Sequence, residues 1–247
     1  MFLKPGSRAE KRWRKVLWKF ARPKWASNFG VDLPLEHPAI TPPIRKDIFF
    51  GGYEAKEAGL IRKFITPDDV VMEVGAGIGY LSSLCAKVVG SDKVHAYEAN
   101  PQLMPIISEV HARNGVSPHV HNVLLGKGEA ERTFWLEPDY WASSLIQGSA
   151  QAKPIQIPQI DLNSELRRIK PSFLIVDIEG GEYEFFNGID LSAVQKICIE
   201  VHPHVLGNDR VTEILAWLFA AGFSLEIGYV RKFVFYLYRE KPRKDAA

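Results

Sequence analysis

The sequence predicts an α/β fold, a mostly parallel sheet with helices on both faces. Three observations predict it. Short apolar runs of strand length alternate with amphipathic segments from Val70 onward. The first of these runs passes through a glycine-rich bend directly into a helix. Two later runs end in acids and histidines, at the strand ends where open parallel sheets carry their functional groups. A chain of 247 residues, 46% hydrophobic and 24% charged, suits one such domain with appended pieces.

The appended piece comes first. Residues 1–25 carry nine Lys or Arg and one acid, Glu10, a net +8, so with +2 for the whole chain the remainder is −6. Within residues 8–22, Trp13, Val16, Leu17 and Phe20 fall at i, i+3, i+4 and i+7, the stripe of an amphipathic helix. Such a helix either packs on the protein body with a solvated basic face or docks on an anionic surface or carrier. Residues 31–48 hold Pro34, Pro38, Pro42 and Pro43 and read as an extended linker or lid. Residues 1–50 are thus expected as appendage and connector, 51–240 as the main domain, and 241–247 as a polar tail.

The main domain opens with Gly51-Gly52 and a helix whose apolar face is Tyr53, Leu60, Ile61, Phe64 and Ile65. Val70–Val74 is a strand, Tyr80–Val89 a helix and Lys93–Glu98 a strand. Asn100 caps the next helix, with Pro101 at its first position and Leu103, Ile106, Ile107 and Val110 as its buried stripe. Val120–Leu125 is a third strand. Residues 126–165 break the rhythm with a hairpin over Gly126–Gly128 and Glu131–Leu136, then a polar loop through Trp141, Ser143 and Ser144. Strands Phe173–Ile178 and Lys196–Val201 follow, with a helix near Glu182–Gly188 between them. A helix bearing Val211, Ile214, Leu215 and Leu218 is stopped by Gly222, and Ser224–Ile227 with Phe233–Tyr238 forms an antiparallel hairpin.

Composition excludes several classes. Cys85 and Cys198 lie in apolar segments and read as buried, reduced thiols. No apolar run is long enough to cross a bilayer. The basic N-terminus lacks the apolar stretch of a signal peptide, so a cytoplasmic protein is expected.

The principal chemical signal is Glu73-Val74-Gly75-Ala76-Gly77-Ile78-Gly79 at the end of a buried strand. Glycines allow a sharp turn and close backbone approach by a ligand, and the helix N-terminus adds free N–H donors. A dinucleotide site needs Gly-x-Gly-x-x-Gly. Here the third glycine comes one position early and Tyr80 stands where it belongs. The acid two places before the first glycine is equally foreign to a phosphate site. The pattern resembles instead the first motif of class I methyltransferases, whose cofactor carries no phosphate. Glu98, ending the next strand, can accept both hydroxyls of a ribose. Asn122, at the third strand, is a partner for the adenine side or a loop former.

The second signal lies at Ile175-Val176-Asp177-Ile178-Glu179-Gly180-Gly181-Glu182 and Ile199-Glu200-Val201-His202-Pro203-His204. Asp177 and Glu179 share a face if the strand persists through both, as do Glu200 and His202. Methyl transfer needs an aligned nucleophile and a base for its proton, and Asp177 and His202 are the candidates. For His202 a purely structural polar contact is the alternative. The four side chains lack the spacing of a dedicated metal site, so no metal is expected. There is no (Asn/Asp)-Pro-Pro-(Tyr/Phe) sequence after this strand. That motif resembles the amino-methylating site of nucleic-acid methyltransferases, and its absence favours oxygen as acceptor.

Four stretches together resemble the FkbM family of S-adenosylmethionine-dependent methyltransferases: Gly52-Tyr53-Glu54, Glu73–Gly79, Tyr97-Glu98-Ala99-Asn100-Pro101, and Ile175–Glu182. Ser143-Ser144-Leu145 and Leu124-Leu125-Gly126 also fit, while Val176 departs from the family pattern. The likeness spans residues 50–240. It implies a Rossmann-like seven-stranded sheet with an antiparallel C-terminal hairpin, and O-methylation of a sugar, glycolipid or secondary metabolite. It implies cofactor contacts from Glu73, Gly75, Ala76, Gly77, Gly79, Glu98, Ala99, Asn122 and Asp177, with Tyr53 and Glu54 closing over the ligand. The rival readings are a nucleic-acid methyltransferase using the basic arm, disfavoured by the acidic body, a nicotinamide oxidoreductase, and a non-catalytic cofactor-binding module.

Overall fold

The structure is a computed structural model that describes Trp18 and residues 23–139 and 143–240. The proposed helix over 8–22 lies outside the described residues apart from Trp18, whose ring packs 4.9 Å from that of Phe49. The polar tail and Trp141 lie outside them too.

The proline-rich stretch is not a linker. β1 (Trp25–Asn28) and β2 (Val31–Pro34) pair as an antiparallel hairpin, and α1 (Pro42–Phe50) follows. Pro42 and Pro43 occupy the first turn of α1, where a missing N–H leaves no hydrogen bond unmade. Val31, Leu33, Leu35, Ile40, Ile44 and Ile48 are all buried in the same core as the sheet. The prolines mark a helix start, and the apolar residues between them carry the packing.

α2 (Ala55–Phe64) leads into β3 (Val71–Val74), α3 (Tyr80–Val89), β4 (Val94–Tyr97), α4 (Met104–Arg113) and β5 (His119–His121). β6 (Leu124–Gly126), β7 (Ala130–Leu136) and β8 (Lys153–Asp161) then leave the main sheet. α5 (Leu162–Ile169), β9 (Phe173–Val176), α6 (Glu182–Phe186), β10 (Lys196–Glu200), α7 (Pro203–Leu206), α8 (Asn208–Ala220), β11 (Ser224–Leu225) and β12 (Val234–Tyr238) complete the chain.

The main sheet has seven strands in the order β11-β12-β10-β9-β3-β4-β5. Neighbours from β10 to β5 are parallel, while β12 runs antiparallel to β10 and to β11. The expected C-terminal hairpin is therefore present, and it makes the sheet mixed. Residues alternate between two apolar layers, as a strand's period of two requires. Val71, Phe173 and Ile175 face the layer under α1–α4, and Met72, Leu174 and Val176 face the layer under α5–α8. Cys85 and Cys198 are buried and unpaired.

Two expectations change. The strand expected over Val120–Leu125 divides, β5 staying in the main sheet and β6 joining a separate three-stranded sheet of order β6-β8-β7. The hairpin partner of Glu131–Leu136 is β8, paired from Ala130↔Gln159 to Leu136↔Lys153. Pro154 and Pro158 conceal that strand in the sequence. They fall where β6, which pairs only with residues 159–161, does not reach.

At the amino ends of the strands, Asp69 ties three of them together. Its carboxylate accepts from Thr66 N–H at 2.7 Å, Ser172 Oγ at 2.8 Å and Lys196 Nζ at 2.7 Å. Burial alone would raise its pKa, but the hydrogen bonds from Lys196, Thr66 and Ser172 hold it below the usual carboxylate range. A depressed acid stabilises the fold above its unfolded pKa and loses that contribution as pH falls through the folded value. Asp69→Ala leaves the ammonium of Lys196 without its carboxylate and is expected to cost about 3 kcal/mol, read as a lower denaturant midpoint at pH 7. The wild-type advantage over the variant should shrink below about pH 4.

Candidate active site

The carboxyl ends of β3, β4 and β9 open into a cleft of about 970 Å³, counting its mouth. One wall is the glycine bend. Gly75 has φ 87°, and a Cβ there would stand 1.7 Å from the carbonyl oxygen of Asp177. The first glycine is thus required by the crossing of two backbone loops. Gly77 serves the ligand side: a Cβ would fall 3.3 Å from the Tyr53 hydroxyl and 3.5 Å from Glu54 Oε1, filling the space between bend and lid. Gly79 faces away, against Ile107 and His111 of α4. Gly75 and Gly77 line the cleft, as do Tyr53, Glu54, Glu98 and Ala99. Ala76, Gly79 and Glu73 are not on its wall.

Glu98 is 7% exposed. Its Oε2 accepts from Gly77 N–H at 2.9 Å and its Oε1 from Asn100 N–H at 2.8 Å. Burial pushes its pKa up to about 7 against the lowering by those N–H groups. The carboxylate is locked at the edge of the bend with acceptor capacity left for a diol. Asn122 donates to the carbonyls of Glu98 (2.8 Å) and Ala99 (3.1 Å) and is off the cleft wall. It fixes the backbone that presents Glu98. Glu73 lies beneath the bend, 1% exposed, its pKa pushed up to about 8 by burial. The uncharged acid serves as packing under the loop.

The opposite wall carries Asp177, Glu179, Phe185 and Glu184. β9 ends at Val176, so the expected strand face through Glu179 does not form. Glu179 instead adopts φ 48°. Glu54 also lies in the left-handed region, at φ 44°. Two non-glycine residues held there in one cleft mark it as strained, a property that clusters at functional sites. His202, 7% exposed, stands behind Asp177 and Glu179. Its Nδ1 is hydrogen-bonded to the fully buried Glu182, while its Nε2 lies 3.1 Å from Glu179 Oε2 and 3.8 Å from Asp177 Oδ1. Burial opposes its charge, but Glu182, Glu179 and Asp177 raise its pKa to about 9. Burial, Glu200 and Glu179 drive Asp177 well above the usual carboxylate range, and burial does the same to Glu54.

The far end of the cleft falls largely in the 126–165 segment, where the sequence singled out Ser143, Leu145 and the adjoining Leu124-Leu125-Gly126 but not Phe134 or Gln159. Phe134 and Gln159 from the small sheet and Ser143 and Leu145 from the loop between β7 and β8 line it, with Glu184 bound by the Arg132 guanidinium at 2.8 and 3.2 Å. No local motif signals Phe134 and Gln159, because they meet only once β7 and β8 pair. Glu182 was visible in its motif, yet its bond to His202 spans 20 residues.

The bend, the Glu98 carboxylate and the Tyr53–Glu54 pair facing them line one space with the polarity suited to a nucleoside carrying an amino-acid chain. Comparisons agree with that chemistry. The sequence profile described as the Methyltransferase FkbM domain matches residues 73–225. No curated protein matches the chain. Among solved structures, the chain is similar to a precorrin-6y C5,15-methyltransferase from Geobacter metallireducens at 13% identity, covering 76% of this chain and 88% of that one with a TM-score of 0.45. It is similar to a ribosomal protein L11 methylase from Lactobacillus delbrueckii subsp. bulgaricus at 13% identity, with 77% and 80% coverage and a TM-score of 0.45. For the tRNA m1G37 methyltransferase of M. jannaschii the values are 11%, 96%, 70% and 0.47. These distant likenesses decide nothing about acceptor. The family match covers more than half of the sequence, and the chain accordingly belongs to the FkbM methyltransferase family, with S-adenosylmethionine as its cofactor.

Proposed function

We propose that the protein transfers a methyl group from S-adenosylmethionine to a hydroxyl of a sugar, glycolipid or secondary metabolite. The observation that carries this reading is the contact between Gly75 and Asp177, which sets the cofactor bend beside an acid–histidine cluster. The bound cofactor supplies an electrophilic methyl group on sulfur. An acceptor hydroxyl entering past Phe134 and Phe185 meets Asp177 at the cleft wall, and Asp177 accepts its hydrogen bond. As the new oxygen–carbon bond forms and the carbon–sulfur bond breaks, the hydroxyl proton passes into the Asp177–His202 cluster. His202 is a positioning residue, held by Glu182 and set behind Asp177. Tyr53 donates a hydrogen bond to Glu54, and together they cover the bend from the opposite side.

The absence of an (Asn/Asp)-Pro-Pro-(Tyr/Phe) sequence after β9 supports oxygen over an amino nitrogen. The acidic cleft disfavours a polyanionic acceptor, since carboxylates at the reacting end repel phosphates. A small or glycan acceptor suits it better. The basic segment at residues 8–22 packs on the body in this reading, as the Trp18–Phe49 contact supports, with an anionic surface or carrier as the second reading.

Three outcomes test this reading. Calorimetry should find binding of S-adenosylhomocysteine and none of NAD, and Glu98→Ala should weaken the former about 10- to 100-fold. Glu98 must be ionised to accept a diol, and its pKa stands raised at about 7 in the free protein. Affinity should therefore rise with pH by up to about tenfold per unit, level off above 7, and lose this dependence in Glu98→Gln. Asp177→Asn should remove most turnover on a panel of hydroxylated acceptors while sparing cofactor affinity. Undiminished turnover in that variant defeats the role assigned to Asp177.

A further inference from the structure

Several acids crowd the reacting end of the cleft: Glu54, Glu57, Asp177, Glu179, Glu182 and Glu200. Among the described residues, the cations paired with them are Lys56, 3.6 Å from Glu200 Oε1, and His202. Within this group one ligand atom each of Asp177, Glu200 and His202 lies within 4.8 Å of the others. A carboxylate, a second carboxylate and an imidazole converging on one point are the donors of a first-row divalent ion.

Independent features point the same way. Asp177 Oδ1 is out of reach of solvent and has no hydrogen-bond partner. Glu57 is 3% exposed, faces Glu200, and likewise has an unpartnered oxygen, Oε1. Buried carboxylate oxygens are costly without a donor or a cation, so the orphan on Asp177, with Glu57 Oε1 and Glu182 Oε2 also unpartnered in the same acid cluster, is consistent with a positive charge held there. His202 also has the form of a metal ligand. Its Nδ1 is engaged by the fully buried Glu182, which fixes the ring and directs Nε2 at Asp177 and Glu179. A carboxylate holding the distal ring nitrogen is the usual outer support of a ligating histidine. The side chains of Asp177 and Glu200 are each 23% exposed, so one side of the point remains open.

We propose that Asp177, Glu200 and His202 bind a divalent cation of the manganese type, supported by Glu182 behind His202 and by Glu57 beside Glu200. This rests on the methyltransferase reading and refines it. With the ion bound, Asp177 and His202 serve as its ligands rather than take the proton themselves; the ion holds the acceptor oxygen and acidifies its hydroxyl, and Glu179, on the cleft wall beside His202, accepts the proton. The sequence expectation of no metal, drawn from spacing along the chain, gives way to proximity across β9 and β10.

The test uses the full chain, stripped with a chelator and titrated with manganese(II) alone. Electron paramagnetic resonance should count one tightly bound ion per chain, and electron spin echo modulation should carry the coupling of one imidazole nitrogen. Glu200→Gln and His202→Ala should each weaken binding at least tenfold, and Glu182→Gln about 10- to 100-fold. Calorimetry with S-adenosylhomocysteine on the same samples reports whether each variant is folded. No bound ion, or an ion without the nitrogen coupling, overturns the proposal even if every variant fails to fold. Equal affinity in folded Glu200→Gln and His202→Ala overturns it as well. A wild-type chain that binds manganese but not S-adenosylhomocysteine strikes the methyltransferase reading instead.

Discussion

Everything in the cleft depends on a backbone-to-backbone contact. β3 and β9 lie side by side in parallel register, Val74 opposite Val176, so the loops that leave them start as neighbours. Only a residue without a side chain fits where Gly75 passes the carbonyl of Asp177. That approach places the amide-rich bend of one loop against the carboxylates of the next. Without it the sheet would still form, but the two walls would part and ligand-holding and reacting groups would no longer share one space.

The two ends of the same strands treat charge in opposite ways. At the amino ends, the carboxylate of Asp69 is met by an ammonium, a hydroxyl and a backbone amide. Such a set is satisfied and serves stability. At the carboxyl ends, acids outnumber their partners and buried oxygens stay unpaired. Local rules of satisfaction are broken at functional sites and compensated elsewhere. The left-handed backbone of Glu54 and Glu179 belongs to the same pattern, since neither residue type favours that conformation.

The sequence was legible wherever the determinant is local. The strand–bend–helix at Val70–Val89, the acid closing β4 and the antiparallel hairpin at the end all follow from periodicity and turn residues. What escaped was set by distant neighbours. Pro34 to Pro43 look like a linker until the apolar residues between them are seen to pack under the sheet. β8 is obscured by Pro154 and Pro158, harmless only because β6 is too short to reach them. Asn122 faces the backbone of Glu98 and Ala99, a choice made by the path of β4. His202 stood out in the sequence as a candidate base or a structural contact, but its place behind Asp177 comes from its position as N-cap of the short helix α7.

The three-stranded sheet joins the rest of the molecule in an instructive way. It contributes Phe134 and Gln159 to the cleft while sharing no strand with the main sheet, and the Arg132–Glu184 fork spans the gap to α6. The enclosure is thus assembled from two parts, the strand ends of the main sheet and the small sheet packed against them through Ala99. Insertions or exchanges at the far end of the β7–β8 arm, away from the Phe134 cluster that packs on Ala99, can reshape the outer part with least disturbance to the strand ends. A scaffold partitioned in this manner lends itself to diversification by grafting, with the outer arm as the exchangeable part.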